Sequence, residues 1–523
     1  MKICCLTFVI PEILSRESGL TPDSRLRHAG MTNNGDFRVT QMPRIAFSTL
    51  GCKINQFDTA AMQTSVMNGD DFRIVSFNDE ADIYVINTCT VTNKSDSESR
   101  RIVRRALKKN RNARIVVTGC YAQTNPREIA KIPGVSIVLG NNEKLTVKDY
   151  LSLDHDTAID SSKIVHVSDI FNASSMHMSV IEGFQEKTRA ILKIQDGCNS
   201  RCSYCIVPFA RGGSRSLSPD DVIKQVVSLC RNDYKEVVLS GVHLGGYGRD
   251  LFPKTSLSAV IRRILSETEL ERIRLSSIEP REVTDELIEL MAAEERICRH
   301  FHIPLQSGDN DILHRMNRNY DVEFYEELIL KIKDKIQYAG IGCDVIVGYP
   351  GEKESHFENT YRFIEKLPLT YLHVFSYSPR EGTAAFSRKE TVKGNVKAER
   401  SEILRRLGEE KNICFRNSHV GKIVEVLVED EWDEATGLLK GYTGNYLRVM
   451  IQNDENPHPH PFEFSQGRLN PLPEGEEIPL PFKGRDRVGM GYSGEYASSC
   501  INQIIKVQIT GMTGGNLSGK FCG

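Results

Sequence analysis

A chain of 523 residues with 40% hydrophobic and 26% charged residues exceeds one compact core and has the composition of a soluble protein of several domains. No uncharged apolar run reaches the roughly eighteen residues needed to span a bilayer, which argues against a membrane helix. The net charge of −2 supplies no general attraction for nucleic acid, so any such contact must rest on local patches.

Residues 1–42 carry no sustained periodicity and are expected to form a dispensable extension; no small-residue cleavage pattern follows Met1 to Ile10, so the location is expected to be cytoplasmic. Residues 43–150 then alternate short apolar runs with helical stretches. Strands are predicted over Ile45 to Thr49, Ile83 to Asn87 and Arg114 to Thr118, and helices over Asn55 to Met67 and Asp96 to Lys109. This alternation predicts a parallel sheet flanked by helices, with a linker over residues 151–183 after it. A second strand–helix series fills residues 184–417, with strands at 190–194, 236–240, 273–276, 299–304, 342–347 and 371–376. Six such units suit an incomplete barrel, and an open doubly wound sheet fits the pattern almost as well. Within the series, Ser218-Pro219-Asp220-Asp221 is a helix start, with an N-cap, proline at the first position and acids in the first turn. After a charged helix near Lys397 to Arg416 the chain becomes β-rich, and residues 418–513 are expected to form a small β-barrel. Residues 453–499, which hold seven of the twenty prolines, interrupt it as a flexible insertion.

Fourteen cysteines in a chain of this size do not suggest a small disulfide scaffold, and clustered thiols then point to metal or catalysis. Cys198, Cys202 and Cys205 lie in one loop directly after a predicted strand. A cubane iron–sulfur cluster is normally held by four thiolates, so three leave one iron free for an exchangeable ligand. The spacing matches the loop of radical S-adenosylmethionine (SAM) enzymes, where that ligand is SAM, and Tyr204 agrees with the pattern. Zinc is the alternative, but it favours four closed ligands and no fourth cysteine or histidine follows nearby. Cys52, Cys89 and Cys120 are spread widely, yet each ends a predicted strand. Because the carboxyl ends of parallel strands share one edge, the three can converge there; burial as small apolar residues is the competing reading. The remaining eight cysteines show no ligand spacing.

Both sets with their flanking residues, together with Pro208-Phe-Ala-Arg-Gly-Gly-Ser-Arg-Ser216, His302-Ile-Pro-Leu-Gln-Ser-Gly308 and Asp344-Val-Ile-Val-Gly-Tyr-Pro-Gly-Glu352, resemble the methylthiotransferase family from about Arg44 to Thr510. Asn87-Thr-Cys-Thr-Val-Thr-Asn-Lys and Gly241-Val-His-Leu-Gly-Gly-Tyr resemble the branch acting on N6-threonylcarbamoyladenosine. Branches acting on isopentenyladenosine in tRNA or on a ribosomal protein side chain are the alternatives. The resemblance implies an α/β fold with a Rossmann-like N-terminal domain, a central radical SAM partial (β/α)6 barrel and a C-terminal TRAM β-barrel. It further implies two 4Fe-4S clusters held by Cys198, Cys202 and Cys205 and by Cys52, Cys89 and Cys120. SAM would serve as radical source and methyl donor in methylthiolation at C2 of the adenine. The tRNA anticodon stem-loop would be the substrate, and a protein such as flavodoxin or ferredoxin the reductant.

For SAM itself, Gly241 at a strand end and Ser277 or Glu279 in the segment Leu275-Ser-Ser-Ile-Glu are candidate contacts, although a glycine there is commonly a turn residue. His243 and His302 are more simply structural. Residues 99–114 hold eight basic residues that can face phosphates or form a solvated helix face. Arg211 and Arg215 are expected to meet substrate beside SAM, and Lys422, Lys440, Tyr442, Tyr446 and Arg448 are consistent with RNA contact.

Overall fold

The computed structural model describes residues 42–68, 71–151, 164–176, 181, 183–184, 187–452 and 500–522. The expected extension, apart from Met42, and the insertion 453–499 lie outside them.

Strands β1 (Arg44–Thr49), β2 (Arg73–Val75), β3 (Ile83–Thr88), β4 (Arg114–Gly119), β5 (Val135–Leu139) and β6 (Ile164–His166) form one parallel sheet in the order β2-β1-β3-β4-β5-β6. The central β3 reads Ile-Tyr-Val-Ile-Asn-Thr and is buried along its whole length, as expected for a strand covered on both faces. β6 falls inside the segment expected to be a linker. It pairs with β5 through Ile137–Ile164 to Leu139–His166, so that stretch is in part a sheet strand, too short to show alternation.

The second series contributes β7 (Arg189–Asp196), β8 (Arg215–Ser216), β9 (Glu236–Gly241), β10 (Arg272–Leu275), β11 (His300–His302), β12 (Gly340–Val347) and β13 (Tyr371–Ser376). β7, β9 and β10 run parallel as neighbours, and so do β11, β12 and β13. The Cys298 amide, donating to the Ile273 carbonyl at 2.8 Å, joins the two groups. Six parallel strands thus follow one another in chain order, which is the partial barrel rather than a doubly wound sheet, while β8 adds an antiparallel edge to β7. The predicted helix start is built as read: Ser218 accepts from the Asp221 amide and caps Pro219–Arg231.

The C-terminal strands β14 (Ile423–Trp432), β15 (Leu439–Thr443), β16 (Arg448–Gln452), β17 (Ile504–Thr513) and β18 (Asn516–Phe521) close into a barrel in the order β14-β15-β16-β18-β17. Its last strand runs past the expected end at 513. β18 pairs parallel to β16 and antiparallel to β17, which closes the circle and removes exposed sheet edges.

Apolar and polar contacts join these parts. Phe57, Ala60 and Ala61 of the helix Lys53–Met67 are buried in the same apolar cluster as Ala190, Leu192 and Leu239 of the partial barrel. At the amino end of the barrel strands, Arg274 donates to the Gly444 and Thr443 carbonyls at 3.0 Å each, and Arg189 pairs with Glu429 at 2.9 Å.

Candidate metal centres

Cys52, Cys89 and Cys120 follow the carboxyl ends of three neighbouring strands, β1, β3 and β4. The register pairs Thr49 with Asn87, and Thr88 with Gly119, so the three cysteines leave the sheet at one edge. Asn55 stitches the turns by donating to the Leu50 carbonyl at 2.7 Å and the Thr88 carbonyl at 2.9 Å. Gly51 has a φ of +93° and stands directly against Cys89: an added Cβ would lie 2.8 Å from the Cys89 sulfur. Burial pushes the Cys89 thiol up to about 11, and the charges of Cys120 and Cys52 push the same way.

The second triad follows β7. The Cys198 amide donates to the Gly212 carbonyl at 3.0 Å and the Cys205 amide to the Cys202 carbonyl at 3.1 Å, which fixes the loop's turns. The Ser200 amide donates to the Cys198 sulfur at 3.4 Å, and Arg318 Nη1 to the Cys202 sulfur at 3.1 Å. Burial works against ionising Cys198, but the hydrogen bond and charge of His243 together with hydrogen bonds from Ser200 outweigh this and lower its pKa. His243 in turn is held between Cys198 and Glu282, whose Oε2 lies 2.9 Å from its Nε2; despite burial these partners raise it to about 10. Burial pushes the Cys205 thiol up to about 12, and the charges of Cys202 and Cys198 push the same way.

The spacing of the sulfurs tests which metal suits them. A tetrahedral zinc, with bonds of about 2.3 Å, would draw its sulfurs to within about 4 Å of one another. Neither triad has all three sulfurs within 4.8 Å; among the described residues only His302–Asp344–His373 and Asp309–Asp311–His356 are that tight. A cubane spreads its thiolates over different irons, and two sets of three separated sulfurs fit that donor set.

Beside Cys202 opens a cavity of about 630 Å³, lined among others by His243, Arg249, Glu279, Glu282 and Arg318. Of the three residues considered for SAM, Glu279 lines it and is paired with Arg318. Gly241 packs instead against Gln195, whose Oε1 an added Cβ would approach to 2.9 Å, and Ser277 is exposed beyond the lining. Arg318 had no signal in the sequence; folding brings it across from the loop Met316–Tyr320 to Cys202.

Arg211 and Arg215 do not face substrate. Arg211 is 2% exposed and Arg215 is buried, because folding supplies partners that sequence distance hides. Arg211 pairs with Asp58 at 2.9 Å and Asp196 at 3.1 Å, and Lys144 and Lys193 pair with the same Asp58. Burial pushes the Asp58 carboxyl up, but Lys144, Lys193 and Arg211 hold it well below the usual carboxylate range. Of the residues expected at RNA, Tyr442 stacks under Arg189 at 4.4 Å and Tyr446 under Arg274 at 5.0 Å, so both serve the junction between barrels. His302 belongs to a polar row: Asp344 Oδ1 lies 2.8 Å from His302 Nε2 and 3.3 Å from His373 Nδ1, and the Tyr371 hydroxyl bridges His302 and His300. In the basic segment, Arg100 pairs with Glu128 and Arg101 with Glu98, which leaves fewer free cations than the composition suggests.

The sequence matches the Radical SAM superfamily over residues 192–364 and the Uncharacterized protein family UPF0004 over residues 44–140. It is 40% identical over 418 residues, 79% of this chain and 92% of that protein, to the threonylcarbamoyladenosine tRNA methylthiotransferase MtaB of Bacillus subtilis. To the protein of the same name from Aquifex aeolicus it is 39% identical over 74% of this chain and 93% of that one. It is 33% identical to the tRNA-2-methylthio-N(6)-dimethylallyladenosine synthase of Clostridium novyi, over 74% and 85% of the two chains.

Proposed function

Since this chain belongs to the radical SAM methylthiotransferases and to their MtaB-type branch, we propose that it attaches a methylthio group to C2 of N6-threonylcarbamoyladenosine beside the tRNA anticodon. It is a tRNA methylthiotransferase that works with two 4Fe-4S clusters and SAM. The observation that carries the finer reading is the 40% identity to the Bacillus subtilis threonylcarbamoyladenosine enzyme against 33% to the Clostridium novyi dimethylallyladenosine synthase, and the pair of cysteine triads, each at the carboxyl edge of its own parallel sheet, supports the two-cluster chemistry.

In this reading Cys198, Cys202 and Cys205 hold the cluster that meets SAM, and Cys52, Cys89 and Cys120 hold the auxiliary one. When bound, these groups supply the radical, the sulfur and the methyl group, chemistry that no side chain provides. The chain's part is orientation and exclusion of water. His243 and Arg318 donate to Cys198 and Cys202 and so fix how those sulfurs point, and Glu279, tied to Arg318, gives the cavity an acceptor for SAM. The rim arginine Arg249 pairs with Glu282, which turns the latter's carboxylate toward His243.

The reading also includes a cytoplasmic location and a reductant of the flavodoxin or ferredoxin kind; no helix among the described residues is long and apolar enough to cross a membrane.

Mass spectrometry of tRNA nucleosides from cells with and without the gene tests it. Loss of the 2-methylthio form of threonylcarbamoyladenosine is expected. Loss of the isopentenyl form instead, or of neither, overturns the proposal.

A further inference from the structure

Arg211 ends the short helix Val207–Arg211 behind the second cysteine triad. Its guanidinium meets three separate parts of the chain. Nε donates to the Cys120 sulfur at 3.3 Å. Nη1 donates to Asp58 at 2.9 Å and to Asp196 at 3.1 Å, and Nη2 donates to the Asn55 side chain. Asn55 and Asp58 lie on the helix that starts beside Cys52. Asp196 ends β7 just before Cys198 and accepts from the Gly197 amide at 2.9 Å. The next carbonyl after Arg211, that of Gly212, accepts from the Cys198 amide at 3.0 Å. One planar, nearly inaccessible group thus touches a sulfur of one triad and the strand end that carries the other.

The charges around it are unequal. Lys144, Lys193 and Arg211 are three buried cations, and Asp58 and Asp196 are two buried carboxylates. One positive charge is left over, and an unbalanced buried charge is strongly destabilising. The sulfur that the Arg211 guanidinium reaches is that of Cys120, at 3.3 Å. A lysine ammonium in place of the guanidinium would keep the charge but not the planar fork that reaches sulfur and carboxylates together.

We propose that Arg211 is a positioning residue with two effects: it locks the two cysteine loops in one register, and its N–H donated to Cys120 makes the auxiliary cluster easier to reduce. Hydrogen bonds and positive charge at a ligating sulfur raise a cluster's reduction potential. The proposal rests on Cys120 being a ligand of that cluster, as in the function proposed above.

The test uses the full, anaerobically reconstituted chain with Arg211→Lys. With Cys198, Cys202 and Cys205 replaced by alanine so that only the auxiliary cluster is present, a redox titration followed by electron paramagnetic resonance is expected to show a more negative midpoint for Arg211→Lys. With all six cysteines present, 5′-deoxyadenosine released per methylthiolated nucleoside is expected to rise at least tenfold, because SAM cleavage runs ahead of sulfur transfer when the two sites lose register. An unchanged midpoint together with an unchanged ratio overturns the proposal. If Arg211→Lys retains no iron, Arg211→Gln, which keeps an amide donor without the charge, is read by the same two measurements with the same outcomes. Unsubstituted protein that forms no methylthiolated tRNA would instead defeat the proposed function, and the midpoint alone would then decide for or against Arg211.

Discussion

A methyl group placed on Gly51 would sit 2.8 Å from the sulfur of Cys89, closer than any relaxed contact allows. Gly51 also holds a φ of +93°, where an L side chain adds strain of about 1–2 kcal/mol. Gly51→Ala should therefore displace the buried member of the first triad while leaving the second alone. Iron analysis of anaerobically purified protein should fall from about eight to about four per chain. Iron that stays at about eight would show that the Gly51 turn has slack the geometry denies.

Replacing the triads one at a time should separate two halves of the chemistry. The variant with Cys52, Cys89 and Cys120 all changed to alanine is expected to release 5′-deoxyadenosine from SAM under dithionite but to form no methylthiolated tRNA. The variant lacking Cys198, Cys202 and Cys205 is expected to do neither. Chromatography of the two products checks both statements.

Asp58 is fully buried among Lys144, Lys193 and Arg211. Asp58→Ala leaves those cations facing one another and should destabilise the iron-free chain by about 3–5 kcal/mol at neutral pH, measured by urea unfolding. The pH dependence follows from the sign of the shift. The native carboxyl titrates below its ordinary value of 3.8, so its contribution is complete above that pH and is lost as the solution is acidified through and below it. The melting temperature of the iron-free chain should fall less steeply below about pH 4 in Asp58→Asn than in the unsubstituted chain.

The strand ends that carry the cysteines were readable because parallel strands impose a rule independent of detail: their carboxyl ends share an edge, and Cys52, Cys89 and Cys120 each follow one. What stood outside the sequence were partnerships across long separations. Arg211 and Arg215 read as substrate contacts because they follow the Cys198 loop, yet Asp58, far away in the chain, draws Arg211 inside. Arg318 reaches Cys202 from a loop with no motif of its own. The strand Ile164–His166 is too short to show a period, and Asn516–Phe521 completes the last barrel only through its pairing with Arg448–Gln452.

The burial of Phe57, Ala60 and Ala61 among barrel side chains bears on how this enzyme can be taken apart. A fragment consisting of the radical SAM portion alone would present an open greasy trough where that helix lies, and the complementary fragment would present the helix's bare apolar stripe to water. Each should aggregate when produced by itself and be rescued by co-expression with the other. Grafting a foreign sulfur-delivering module onto this barrel would likewise require that the newcomer carry a matching helix, not merely a suitable linker.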